Sequence, residues 1–146
     1  MKKIVLLIFI FFAYSGYAIE LSDAFNSELI VDVSVEAEAG TRNRGATVQS
    51  CGSCSGGEHV GDLGGLPVSA PNAYLASVVT VATAGKYTMN LSASSGATRS
   101  IFISVNGGDA TEVSVNSGDW STPAVYNLVL NLAVGTNTIK FFNDIS

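Results

Sequence analysis

Glu36 and Glu38, Cys51 and Cys54, His59 and Trp120 are the side chains of this sequence whose types and spacing could do chemistry. The glutamates fall in an alternating stretch, with Val31, Val33, Val35, Ala37 and Ala39 set against Asp32, Ser34, Glu36 and Glu38. The alternation reads as a half-buried strand beginning at Leu29. On a strand both carboxylates leave one face, with backbone origins about 7 Å apart given a rise of ~3.3 Å per residue. Such a pair suits one shared hard cation: calcium takes about six to eight oxygens, and binding it relieves the repulsion between the two charges. A glycosidase acid/base pair, with carboxyls about 5 to 9 Å apart, is the sharper alternative, and a plain solvated face is the third.

Cys51 and Cys54 are the only cysteines. A close, even pair in an exported chain favours a disulfide, whose ring is too small for unfolded-state entropy to reach the ~3 kcal/mol of a fifteen-residue loop. A redox pair would want a helix start in a βαβ setting. A zinc site would need four ligands, and only His59 with Glu58 or Asp62 lies nearby. His59, the sole histidine, reads as a surface loop residue, since no Gly-x-Ser-x-Gly motif marks a partner serine. Trp120, the sole tryptophan, sits in a polar loop before a strand. There an indole could stack on the C–H face of a pyranose, or cap the core.

The elements that must position these residues are strands. After the stretch at Leu29, residues 40–71 have little apolar periodicity and read as a long ordered loop region with one short strand at Ala46–Gln49. Strand signals resume at Ala73–Thr83, Tyr87–Ala93, Arg99–Val105 and Thr111–Val115, with Asn106-Gly107-Gly108-Asp109 as a hairpin turn. Asn116 to Trp120 reads as a loop, Tyr126, Leu128, Leu130 and Leu132 as one face of a strand, and Thr138–Phe142 as the last strand visible. Seven or eight short strands at this spacing predict an all-β chain, a β-sandwich or jelly roll.

Residues 1–18 read as a signal peptide: Lys2 and Lys3, an apolar run from Ile4 to Phe12, then Gly16-Tyr17-Ala18. That run is too short for the ~20 residues of a membrane-spanning helix. Residues 19–28 read as a leader, and 29–146 as the domain. Without residues 1–18, five basic side chains face twelve acidic ones, a net charge of −7 that argues against a nucleic-acid partner.

Several stretches in order resemble the family 35 carbohydrate-binding modules, and more distantly those of family 6. They are Val35-Glu36-Ala37-Glu38-Ala39-Gly40-Thr41, Gly45 to Cys51, Cys54-Ser55-Gly56-Gly57 and Val60-Gly61-Asp62-Leu63-Gly64. Downstream follow Ala84 to Thr88, Ala97 to Ser100, Ser104 to Gly108, Asp119-Trp120-Ser121-Thr122 and Gly135 to Phe141. The resemblance implies a jelly-roll sandwich, a structural calcium on Glu36 and Glu38, and polysaccharide or oligosaccharide binding by loops at one end. Trp120 would stack on the sugar, with Arg99 and Asp62 as polar contacts. Two positions where such modules often carry aromatics are Ala93 and Pro123 here. Their pattern runs past Asn143 into a final strand whose aspartate completes the calcium shell, so the domain reads as C-terminally incomplete.

The reading is a secreted, monomeric, non-catalytic sugar-binding module that targets an appended glycoside hydrolase or lyase, or a cell surface. The rivals are an adhesion or spacer sandwich that binds no sugar, and a small glycosidase using Glu36 and Glu38.

Overall fold

Val, Leu and Ile alternating with Thr, Ser and Asn give each strand one apolar face, and two sheets bury those faces against each other. The computed structural model describes residues 2–4, 33–63 and 73–143. Its strands are β1 (Lys2–Ile4), β2 (Thr41–Asn43), β3 (Thr47–Ser50), β4 (Glu58–Gly61), β5 (Tyr74–Val81), β6 (Gly85–Ser95), β7 (Arg99–Val105), β8 (Thr111–Val115), β9 (Asp119–Leu132) and β10 (Gly135–Phe142). A five-stranded sheet runs β2-β5-β10-β7-β8, a three-stranded sheet β1-β6-β9, and β3 and β4 form a hairpin of their own. Apart from Lys2–Ile4, which lies parallel to Tyr87–Met89 of β6, the expected signal peptide and leader fall outside the described residues.

The core is shared between the layers. Leu75, Val79, Val81, Ile103, Ile139 and Phe141 come from the five-stranded sheet, and Tyr87, Leu130 and Leu132 from the three-stranded one. Each fully buried aliphatic here contributes roughly 1.5–3 kcal/mol. This is the expected β-sandwich, with β7 and β8 at the predicted bounds.

Three sequence readings are corrected. Residues 33–36 belong to no strand, and Ala37–Ala39 form a single 3-10 turn in which Ala39 N donates to Glu36 O at 3.2 Å and Gly40 N to Ala37 O at 3.0 Å. The apolar–polar alternation breaks with it. Glu36 and Glu38 are half-buried, Ala39 is exposed, and the two carboxylates do not share one strand face. Residues 40–63 carry β2, β3 and β4 rather than one short strand. Their pairing is set by partners, Thr41–Asn43 on β5 and Thr47–Ser50 on Glu58–Gly61, while their own side chains are mostly exposed and show no apolar period. Trp120 lies inside β9 rather than in a loop before it.

One buried side chain closes the end of the sandwich where β9 turns into β10. Asn137 is 0% exposed. Its amide donates to Ala133 O at 2.8 Å and Gly135 O at 3.1 Å, while its oxygen accepts from Ala133 N and Asn106 Nδ2, both at 2.9 Å. Asn106, in a left-handed conformation at φ 53°, accepts in turn from Thr138 N at 2.8 Å. The β7–β8 turn is thereby tied to the β9–β10 turn. Removing a partner from a buried polar group costs roughly 1–3 kcal/mol. Asn137→Ala, which strands several such groups, is expected to lower unfolding free energy by about 3 kcal/mol in urea denaturation. Asn106→Ala, at an exposed position, is expected to cost less.

Candidate functional site

The other end of the sandwich, where β6 and β9 meet, is built differently. Ala93 pairs with Ala124 and Ser95 with Asp119, so Trp120 to Pro123 stand opposite Ser94 alone. Pro123 has no N–H to give a ladder, and the extra residues bulge out of register. A bulge re-aims side chains, and this one turns Trp120 toward solvent, 56% exposed.

Side chains hold the main chain where the ladder does not. Ser94 Oγ donates to Trp120 O at 2.9 Å, and Ser53 Oγ donates to Ser121 O. Asp119 Oδ1 accepts from Ser121 N at 2.5 Å and Ser121 Oγ at 2.6 Å, while Ser117 Oγ donates to Asp119 O at 2.7 Å. The bonds from the Ser121 hydroxyl and then its amide hold the Asp119 carboxyl below the usual value of 3.8. Over the indole, the Arg99 guanidinium lies 4.9 Å from the ring centroid, a cation–π contact. Gly96 makes room for the ring, since a Cβ there would collide with Trp120 Nε1 and Cδ1. Trp120 and Arg99, singled out from sequence, therefore stand together.

Asp62 does not join them. It follows β4 at φ 59° and its Oδ2 accepts from Thr47 Oγ1 at 2.6 Å and Gln49 Nε2 at 2.9 Å, fastening the β3–β4 hairpin. The opposite end of that hairpin carries the bridge. Cys51 and Cys54 form a disulfide with Cα atoms 5.3 Å apart, and Cys51 N donates to Gly57 O at 2.8 Å. His59 is not a surface loop residue: it pairs with Gln49 inside β4, half-buried, with Nδ1 out of solvent and unpartnered. Ser55 Oγ, in the turn after the bridge, donates to Glu36 Oε1 at 2.8 Å, and Arg42 Nη1 donates to the main-chain oxygen of Glu38 at 2.6 Å. Both glutamates are half-buried, and carboxylate oxygens are the ligand type that suits a hard cation such as calcium.

The sequence reading passed over a second aromatic group. Tyr74, Phe142 and Phe102 are cross-strand neighbours on the outer face of the five-stranded sheet, a position signalled only by aromatics at polar points of the alternation. Phe102 and Phe142 stack at 5.8 Å, and Lys140 Nζ lies 4.4 Å from the Tyr74 centroid and 4.8 Å from that of Phe142. These rings are half-buried, whereas Trp120 is exposed. A cleft of about 220 Å³ between Ile103, Thr111 and Val129 lies toward the Asn137 end and is lined by no aromatic.

The architecture has close counterparts. A family 35 carbohydrate-binding module from Clostridium thermocellum is 32% identical, with 77% of this chain and 87% of that chain covered at a TM-score of 0.67. The chain belongs to carbohydrate-binding module family 35. A module of the same family from Paenibacillus barcinonensis shares the fold at 20% identity, covering 75% of this chain and 85% of that one with a TM-score of 0.60. An exo-β-1,3-galactanase from Phanerochaete chrysosporium, solved with β-1,3-galactotriose, is 29% identical over 73% of this chain and 24% of its own, with a TM-score of 0.63. No protein-family model matches the sequence, and no curated protein does.

In this family 35 module the bulge is open to test by pH. The bonds to Asp119 favour its charged form, so their contribution is complete above 3.8 and is lost as pH falls through the lower folded-state value. The emission of Trp120 is expected to hold constant from neutral pH down to 3.8 and to shift only below it. In Asp119→Ala the shift is already present at neutral pH and the acid step is gone. A wild-type profile that moves between pH 7 and 3.8 contradicts the assignment.

Proposed function

We propose that this module binds a glycan chain at the end of the sandwich built on Trp120, without catalysis of its own, and so brings an attached enzyme or a cell surface to that glycan. The observation that carries the reading is the exposed indole of Trp120, held by side chains beside the Arg99 cation. An aromatic face of this kind accepts the C–H face of a pyranose, and a neighbouring guanidinium donates to its hydroxyls. A β-1,3-linked galactan is the first ligand to test, because the galactanase that resembles this chain over a quarter of its own length was solved with β-1,3-galactotriose. Trp120→Ala is expected to weaken β-1,3-galactotriose binding at least tenfold, about 1.4 kcal/mol, in isothermal titration calorimetry. Arg99→Ala is expected to weaken it by less. Wild-type protein that is retained on no glycan affinity gel overturns the reading and favours the spacer alternative.

A glycosidase role for Glu36 and Glu38 has less support. Glu36 Oε1 is taken up by Ser55, and Glu38 lies within the 3-10 turn rather than opposite Glu36 across a groove. The same carboxylates are better used as ligands of a structural calcium, which would neutralise two half-buried charges and fasten residues 33–40 to the sheet. A ligand held only by the native state stabilises it. A chelator is therefore expected to lower the melting temperature by several degrees, an effect that Glu36→Gln with Glu38→Gln removes. An unchanged melting temperature in chelator rules the ion out.

Secretion as a monomer completes the proposal. Support for secretion is the signal peptide read at residues 1–18 and the Cys51–Cys54 disulfide, a bond of oxidising compartments. Among the described residues no helix is long and apolar enough to cross a membrane.

A further inference from the structure

We propose that the Cys51–Cys54 loop is a clamp that positions Trp120, with Ser53 as the positioning residue. The proposal rests on the reading of Trp120 as the sugar platform. Trp120 to Pro123 have left the β6–β9 ladder, so the orientation of the indole depends on whatever holds the main chain beside it. Ser94 and Asp119 are local to the two strands. Ser53 is not: it reaches Ser121 O across 68 residues of sequence, and it does so from between two bridged cysteines.

The loop has little else to give it shape. Gly52, Gly56 and Gly57 have nothing packed where a Cβ would sit, and Gly56 and Gly57 take φ of 67° and 79°. Rigidity comes from the disulfide and from three main-chain bonds: Cys51 N to Gly57 O at 2.8 Å, Cys54 N to Cys51 O at 3.2 Å and Gly57 N to Cys54 O at 3.1 Å. Cys51 itself is 3% exposed. Its Sγ, which carries no proton in the disulfide, lies 3.4 Å from the same Ser121 oxygen. A serine on a free loop would lose its conformational freedom each time it bonded Ser121. Here the bridge has removed that freedom beforehand, which is how preorganisation raises affinity without adding a ligand contact.

Trp120 is the only tryptophan of the chain, so its fluorescence reports the clamp without any ligand. In the wild-type protein, Ser53→Ala, Ser53→Thr and Cys51→Ser with Cys54→Ser, the measurements are steady-state anisotropy, acrylamide quenching and β-1,3-galactotriose affinity. Ser53→Ala and the cysteine pair are expected to lower ligand-free anisotropy, raise quenching and weaken affinity roughly three- to tenfold. Ser53→Thr, which keeps the hydroxyl, restores all three. A role in folding alone would lower the melting temperature and leave the native-state anisotropy of Ser53→Ala at the wild-type value, which overturns the clamp. Wild-type fluorescence and affinity in Ser53→Ala, with binding lost in Trp120→Ala, overturns the clamp and keeps the platform. Binding retained in Trp120→Ala overturns the platform, and with it the clamp's role in binding.

Discussion

Main-chain groups that leave the ladder at the two ends of this sandwich still need hydrogen-bond partners, and the way each end supplies them separates scaffold from site. A main-chain N–H or C=O buried without a partner costs as much as a lost hydrogen bond. At the β9–β10 end a single residue meets that demand, Asn137, whose oxygen and amide bond the main chain of its own turn and the side chain of Asn106. No solvent reaches it. The partners are fixed, water cannot replace them, and this end is committed to stability.

At the Trp120 end the same demand is met by exposed or half-buried hydroxyls and one carboxylate, Ser53, Ser94, Ser117 and Asp119. Water can compete for every one of these groups, so each bond contributes less to folding than its buried counterpart at Asn137. The gain is in placement. An aromatic side chain on a regular strand of either sheet points into the core, as Tyr87 does, or across the outer face, as Phe102 and Phe142 do. Only where β9 breaks register does an indole project from the end of the sandwich, with Gly96 beside its Nε1 and Cδ1 and the Arg99 cation over the ring.

How much of this was legible in the sequence follows from which residues set each element. From β5 onward the strands have a buried face, so Leu75, Val79 and Val81, or Leu128, Leu130 and Leu132, announce their period directly. β2, β3 and β4 bury little, their pairing is imposed by β5 and by one another, and no local pattern records it. The Glu36–Glu38 stretch misled because small alanines satisfy the alternation of a strand and fit a 3-10 turn equally well. For the site, Trp120 was visible as a loop residue and Arg99 as the start of a strand, but their contact depends on the missing register at Ser94, which only the paired strands reveal. Asp62 was expected beside Trp120 and Arg99, and its place was not legible because the β3–β4 hairpin that holds it has no local pattern. Its Oδ2 accepts from Thr47 and Gln49 within that hairpin.

The disulfide gains its meaning from the same division of labour. A bridge between residues three apart closes too small a loop to contribute as much as the ~3 kcal/mol of a fifteen-residue one, so stability is a weak reason for it. What it does fix is the direction of the two hydroxyls beside Cys54. Ser53 points to Ser121, next to Trp120, and Ser55 points to Glu36. The loop thus spans the space between the carboxylate segment and the platform, holding one with each serine. The run Ser53-Cys54-Ser55 touches both segments, its two serines hydrogen-bonded outward and its cysteine covalently bridged. Residues 36 and 120 lie far apart in sequence, yet the serines on either side of Cys54 bond one to Glu36 and the other to the neighbour of Trp120.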